Sequence, residues 1–301
     1  MVDTTAESAS MTIMEETKAS ASKWAYGTGW RTFSYIVLMF GAFLSLLPFM
    51  WMILRSVMSL GESIGSGFWP SEIHLENFSR AWEDAHFSEY LINTVLITVI
   101  TLGGELVASV LAAYAFARLK FPGRNIVFGV LLSSMMIPGM VTMIPNLLTV
   151  TWLGRVGPIA WIDNWPALTI PFMGSVFSIF LLRQFFAQIP EELFDAAKID
   201  GAGHIRTLLT LVLPLSKAPV MVIIVLSFIG AWNALAWPLL VTNSTDWLPV
   251  SVGLYEFVQD AGSELNMVMA GSVITIIPIL ILYFLTQKQF TESIARSGLK
   301  G

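Results

Sequence analysis

Cysteine is missing from all 301 residues, so disulfides and thiolate chemistry are excluded. Charge is scarce as well: Asp, Glu, Lys and Arg make up 12% of the chain, where soluble domains carry about a quarter. Three histidines occur, His74, His86 and His204, and their spacing fits no metal site. No HExxH or GxSxG motif and no pair of carboxylates falls within an apolar run, which argues against a membrane hydrolase. The phosphate-binding pattern GxxxxGK followed by Ser or Thr is absent, since Gly201-Ala202-Gly203 lacks the lysine. Any ATP that drives this protein is therefore bound by another chain. Proton-coupled transporters need paired ionisable groups inside the membrane, and here Glu105 stands alone in the apolar runs.

What the chain does have is hydrophobic residues, 55% of the total, gathered into long runs. Residues 32–54, 126–154, 218–244 and 265–287 carry no charge, and residues 91–117 carry only Glu105. Residues 167–182 are shorter, but the run extends through Phe185 and Phe186 once Arg183 snorkels to the headgroups. About 20 helical residues cross a bilayer core. The sequence therefore predicts an all-α integral membrane protein with six transmembrane helices. Residues 32–54 are too long for a signal-peptide core and no small-residue cleavage site follows them, so they count as a true span. The first 30 residues are polar, rich in Ser, Thr, Ala and Glu, and predict a disordered tail. Residues 31–301 then form one membrane domain, because no gap between spans approaches the roughly 50 residues of an independent domain.

Basic residues concentrate in cytoplasmic loops. With the N-terminus inside, the inner segments hold 13 of the 16 Lys and Arg, and the outer ones hold only Arg55, Arg80 and Arg155. Both termini are thus expected in the cytoplasm. Several spans are interrupted, by Pro138-Gly139 and Pro145, by Pro171 and by Pro278. Such breaks survive in lipid where protein or a water-filled cavity satisfies the freed backbone, so they mark either a lined pathway or ordinary packing kinks. Glu105, beside Gly103-Gly104, must face a partner, a cavity or a cation. It is a candidate substrate contact, with a protonated or hydrogen-bonded structural role as the other reading.

Residues 191–219, EELFDAAKIDGAGHIRTLLTLVLPLSKAP, separate two apolar runs. Pro190 fits the first turn of a helix, and Glu191 and Glu192 suit its positive end. Leu193, Ala196, Ala197 and Asp200 fall along one side, with the alanines keeping that side thin. Gly201 and Gly203 break the helix, a second begins near His204 and runs toward Leu213, and Pro214 and Pro219 lead into the next span. The result is a helix, a break and a helix lying across the membrane face, either a docking knob or an interfacial linker.

The same stretch resembles the cytoplasmic loop of binding-protein-dependent ABC transporter permeases: Glu-Ala-Ala, three residues, Gly, nine residues, Ile, one residue, Leu-Pro. Here Asp195-Ala196-Ala197 precedes Gly201 by three residues, and Leu211 and Leu213-Pro214 follow in register. AYAFARLKFPGRN from Ala113, MIPGMVTMIP from Met136, FLLRQFFAQIPEEL from Phe180, AWNALAWPLL from Ala231 and the closing Lys300-Gly301 resemble the carbohydrate-uptake, maltose-type branch of that family. The chain departs from the pattern at Asp195, one methylene shorter than glutamate, and at Leu211, a conservative packing change.

The resemblance implies a permease subunit of an ATP-driven carbohydrate importer in a prokaryotic inner membrane, with a coupling helix between the fourth and fifth spans. Residues 190–217 would dock on a cytoplasmic ATPase subunit through Leu193, Asp195, Ala196, Ala197, Asp200, Gly201, Ala202 and Pro214. Implied partners are a second permease, homologous or identical, two ATPase subunits that hold ATP and Mg, and an extracytoplasmic solute-binding protein. No cofactor, metal, catalytic residue or nucleic acid is implied for this chain. Trp232 and Asn233 could hold a sugar, or could simply satisfy each other's surroundings by a helix–helix hydrogen bond. Tyr255 and Phe257, in the outer loop at 252–257, could anchor the solute-binding protein or belong to an interfacial aromatic belt. The competing reading is a secondary transporter or channel without ATPase partners; a membrane enzyme is more distant.

Overall fold

Long runs of Leu, Ile, Val, Phe and Met without backbone partners from other strands must satisfy their peptide groups internally, and helices do so. The computed structural model describes residues 4–84, 86–261 and 264–298, with side chains at 29–83, 86–259 and 264–287. Among the described residues every element is a helix. Lys300 and Gly301, part of the resemblance above, lie outside them.

The chain opens with α1, Thr4–Ser56, then α2, Leu60–Ile64, α3, Glu76–Asp84, and α4, Phe87–Arg118. Next come α5, Arg124–Ser134, α6, Gly139–Val156, and α7, Trp165–Thr169, which passes through a 3-10 turn at Ile170–Phe172 into α8, Val176–Ala187. The loop region holds α9, Glu191–Ile199, α10, His204–Thr207, a π-turn at Leu208–Val212 and α11, Leu213–Leu215. The chain ends with α12, Lys217–Trp232, α13, Pro238–Val241, α14, Val250–Ala261, and α15, Leu265–Gly298. Four segments are long and apolar enough to cross a membrane: Gly29–Ser56, Phe87–Arg118, Trp165–Gln188 and Leu265–Gln287. Two bent pairs, each counted as one span, bring the number to six.

The expected tail at 1–30 is helical from Thr4 and continuous with the first span; Ala, Glu, Met and Lys are strong helix formers, and the first proline of the chain is Pro48. Residues 126–154 are interrupted at the expected break, Pro138-Gly139: α5 and α6 meet there at 102°. Residues 218–244, expected as one uninterrupted span, are not one helix: α12 stops at Trp232 and the chain restarts as α13 behind Pro238. The fifth candidate span instead pairs His204–Leu215 with Lys217–Trp232 across an 82° bend.

The packing centres on α4, which runs against α8, α12 and α14, while α15 is flanked by α1, α3, α12 and α14. Ile36, Leu38, Met39 and Phe40 of α1 are exposed, a surface of a kind that suits hydrocarbon and not water. Phe87, Tyr90, Trp232, Val250, Val252, Met267 and Ala270 form a core at the Phe87 end of α4. Tyr114, Leu182, Phe186, Phe194, Leu208, Val212 and Ile223 form another at the Arg118 end. Arg55 is buried, and among the described residues no carboxylate pairs with it: its guanidinium donates to the carbonyls of Glu62 and Gly65, at the C-terminal end of α2, and lies 4.0 Å above the Trp51 ring. A cation suits that negative helix end.

Candidate functional site

Five polar residues of α4, Thr94, Thr98, Thr101, Glu105 and Ser109, recur at steps of four, three, four and four and are all buried. That spacing puts them on one face of the helix. Thr94 Oγ1 accepts the Val250 N–H at 2.7 Å, tying α4 to α14. Ser178 Oγ on α8 donates to Glu105 Oε1 at 2.6 Å. Glu105 is 5% exposed, so a partner of this kind offsets part of the penalty for burying a carboxyl group. Beside it, Gly104 allows Met173 to pack so closely against α4 that any Cβ would collide with the methionine side chain.

Thr94, Thr101 and Glu105 line a cavity of about 460 Å³, with Ser175 just before α8, Ser178 of α8 and Ser227 of α12 completing its polar surface. Phe172, Phe177 and Trp237 supply aromatic surface. Trp237 is held in place by its Nε1–H, which donates to the Ala167 carbonyl at 2.9 Å, and by an edge contact with Phe172 at 5.8 Å. Hydroxyls, a carboxyl group and aromatic faces around one void can hold a polyhydroxylated molecule by its hydroxyls and its apolar ring face.

Of the residues expected on a substrate pathway, Glu105 alone is in this lining. Trp232 faces the other way, stacked on Phe228 at 5.3 Å and donating its Nε1–H to the Thr275 carbonyl of α15 at 3.1 Å. Asn233 caps α12 and donates to the Ile229 carbonyl one turn back. The cavity tryptophan is thus Trp237, five residues further on, because the helix ends between the two. Phe257 is likewise a core residue, 9% exposed and against Phe87, whereas Tyr255 is 42% exposed. The segment 252–257 lies within α14, not in a loop.

At the Arg118 end, α9 is capped as its sequence requires. Pro190 stands at the N-cap, just before the helix and not within it. Gly201 adopts φ +73°, its N–H bonds to the Lys198 carbonyl and the Ala202 N–H to the Ala197 carbonyl. These two bonds make a Schellman motif, which needs a left-handed residue where glycine pays no Cβ penalty. Pro214 offers no N–H to the Thr210 carbonyl, and the turn before it is π-wound.

Phe194 is the buried residue of α9. Leu193, Asp195, Ala196, Ile199, Asp200 and Gly201 are exposed, Ile199 at 87%; Ala197 and Ala202 are half-buried, and Pro214 is exposed. Asp195 pairs with Lys198 at 2.9 Å, and this hydrogen bond holds the lysine above its usual pKa. Both side chains are well exposed, so the pair adds little stability.

Sequence reasoning missed what holds α9 in place. Arg118, the last residue of α4, lies 3.9 Å over the Phe194 ring and pairs with Glu191 at 2.8 Å. It also donates to the carbonyls of Phe186, at 3.0 Å from Nε, and of Ile189. One guanidinium therefore joins α4, the end of α8 and the start of α9, a use of its fork of donors that lysine could not match. Tyr114 and His204 meet at 3.3 Å beside it. The α4 hydroxyl stripe could be found from its spacing; the pairings with Ser178 and Arg118 join residues 73 and 68 apart and leave no local pattern.

The family described as "Binding-protein-dependent transport system inner membrane component" matches residues 105–294. The sn-glycerol-3-phosphate transport system permease protein UgpE of Yersinia pestis bv. Antiqua (strain Antiqua) is 31% identical over 235 residues, 77% of this chain and 82% of that protein. The diacetylchitobiose uptake system permease protein NgcG of Streptomyces coelicolor (strain ATCC BAA-471 / A3(2) / M145) is 26% identical over 272 residues, 89% of this chain and 88% of that protein. A chain in the crystal structure of a bacterial ABC transporter involved in the import of the acidic polysaccharide alginate superposes with a TM-score of 0.76 at 26% identity, covering 85% of this chain and 95% of that one. The chain belongs to the family of binding-protein-dependent transport system inner membrane components.

Proposed function

We propose that this chain forms half of the translocation pathway of an ATP-driven carbohydrate importer, and that residues 190–217 dock it to a cytoplasmic ATPase subunit. The observation that carries the reading is the Arg118 clamp: it fastens α9, whose outer face is exposed, to α4 and α8, the helices that line the cavity. Movement imposed on α9 would therefore reach Glu105 and Ser178 directly, and rigid helices packed this way transmit displacement between two discrete arrangements. Membership of the family makes the chain a transport component of the inner membrane, with ATP hydrolysis on separate subunits. It also sets aside a secondary transporter or channel.

In this proposal two ATPase subunits, holding ATP and Mg, bind at the cytoplasmic face, a second permease completes the pathway, and a solute-binding protein delivers cargo from outside. Leu193, Asp195, Ala196, Ala197, Asp200, Gly201, Ala202 and Pro214 form the docking region, and both termini are cytoplasmic. Tyr255 remains a contact for the solute-binding protein, since it is exposed. Carbohydrate cargo is favoured by the hydroxyl and aromatic lining and by relatives named for polyhydroxylated cargo. The test is uptake by proteoliposomes holding the whole assembly. Transport should need internal ATP and the solute-binding protein and be indifferent to ionophores; ion-driven uptake without ATP would overturn the proposal.

A further inference from the structure

The cavity carries a charge pattern that the family assignment does not specify. Glu105 is its one acidic residue, and among the described residues none of the lining side chains is Lys, Arg or His. Ser178 donates to one carboxyl oxygen, so Glu105 serves as an acceptor there. Thr101 Oγ1, buried in the same wall one turn away, has no protein partner among the described residues. Ser175 and Ser227 add two further hydroxyls. A wall with an acid, free hydroxyl capacity and no cation pairs well with hydroxyl donors. It offers a phosphate or a carboxylate no counter-charge, and recognition of such anions normally relies on Arg or Lys.

We propose that this cavity selects uncharged or amino sugars and excludes anionic ones, with Glu105 as the residue that sets the discrimination. The proposal rests on the importer reading and narrows its cargo. It also separates this chain from relatives by charge: UgpE is named for a phosphate ester, and the alginate transporter for an acidic polysaccharide. NgcG is named for diacetylchitobiose, an uncharged sugar.

Equilibrium binding to the purified, nucleotide-free transporter, with no solute-binding protein present, isolates the cavity from the earlier filter. The probes are N,N′-diacetylchitobiose and maltose, both neutral, and glycerol 3-phosphate and a trisaccharide of alginate, both anionic. At least one neutral probe should bind wild type, and the anions should bind at least roughly 100-fold more weakly, because burying an anion without a counter-charge is costly. Glu105→Gln should narrow that gap by about tenfold or more. Should Glu105→Gln fail to assemble, Ser227→Lys puts a cation in the same cavity, leaves Glu105 in place, and should admit glycerol 3-phosphate. Anion binding by wild type as tight as that of the neutral sugars overturns the proposal. So does an unchanged ratio in the assembled variants, or failure of both neutral probes to bind. Binding-protein-stimulated ATP hydrolysis is read in parallel: if it persists while discrimination is absent, the charge proposal alone falls, and if it is missing in wild type the importer reading falls.

Discussion

Gly201 is where one residue's torsion decides an interface. An L-residue with a side chain at φ +73° costs about 1–2 kcal/mol, and the cost is greatest when the side chain is β-branched. Gly201→Ala should lower uptake partially and Gly201→Val nearly completely, while immunoblots show normal membrane insertion. Wild-type uptake by Gly201→Val would mean that the cap is not needed. Asp163 works on the opposite side of the spans. Its carboxylate accepts the Asn243 and Ser244 N–H groups at 2.8 and 2.9 Å, and those bonds draw its pKa below the ordinary 3.8. Because the folded value is the lower one, the stabilisation is complete above pH 3.8 and is lost as pH falls through the folded pKa. Melting curves of Asp163→Asn should therefore lose part of this acid limb and show lower stability near neutral pH. A curve superimposable on wild type at every pH would show that these bonds contribute nothing.

Among the elements, α9 and its anchor carry the most consequential contact. Removing a charged donor from several carbonyls and a carboxylate costs about 1.5–3 kcal/mol per bond lost. Arg118→Ala should free α9: amide exchange across Glu191–Ile199 should accelerate, and uptake should fall by more than ATP hydrolysis does. Arg118→Lys should rescue little, because an ammonium cannot reach three carbonyl and carboxylate partners at once. Equal loss of hydrolysis and uptake, with unchanged exchange, would remove Arg118 from the coupling path. Much of this element could be read in advance: the acidic start and the break at Gly201 both follow from local chemistry. The same holds for the six spans, whose apolar runs are long. What could not be read are features made by distant residues, such as the Arg118 clamp, the Ser178–Glu105 bond and the choice of Trp237 over Trp232. A hydrophobic run shows that residues 218–244 avoid water; it does not show where the helix ends.

For the whole molecule, the lack of cysteine turns orientation into a clean measurement. Lys120, between α4 and α5, and Tyr255, on α14, are both exposed and belong to opposite ends of the bundle. With a membrane-impermeant maleimide, Lys120→Cys should react only in inside-out vesicles and Tyr255→Cys only in right-side-out ones. The reverse pattern would invert the topology and place α9 outside the cell, out of reach of any ATPase. The fold also explains how a protein with so little charge still positions its parts: two of its arginines answer helix ends, Arg55 on the carbonyls at the end of α2 and Arg118 on a carbonyl at the end of α8. There each answers a fixed dipole.

The space around Gly201 adds a distinction that truncating or enlarging side chains would not reveal. No atom outside its own neighbourhood comes within 4 Å of where a Cβ would stand, so within this chain the position discriminates by handedness and not by size. A D-alanine there, introduced by semisynthesis, adopts positive φ without strain. It should restore the cap, and with it uptake, where L-alanine impairs both.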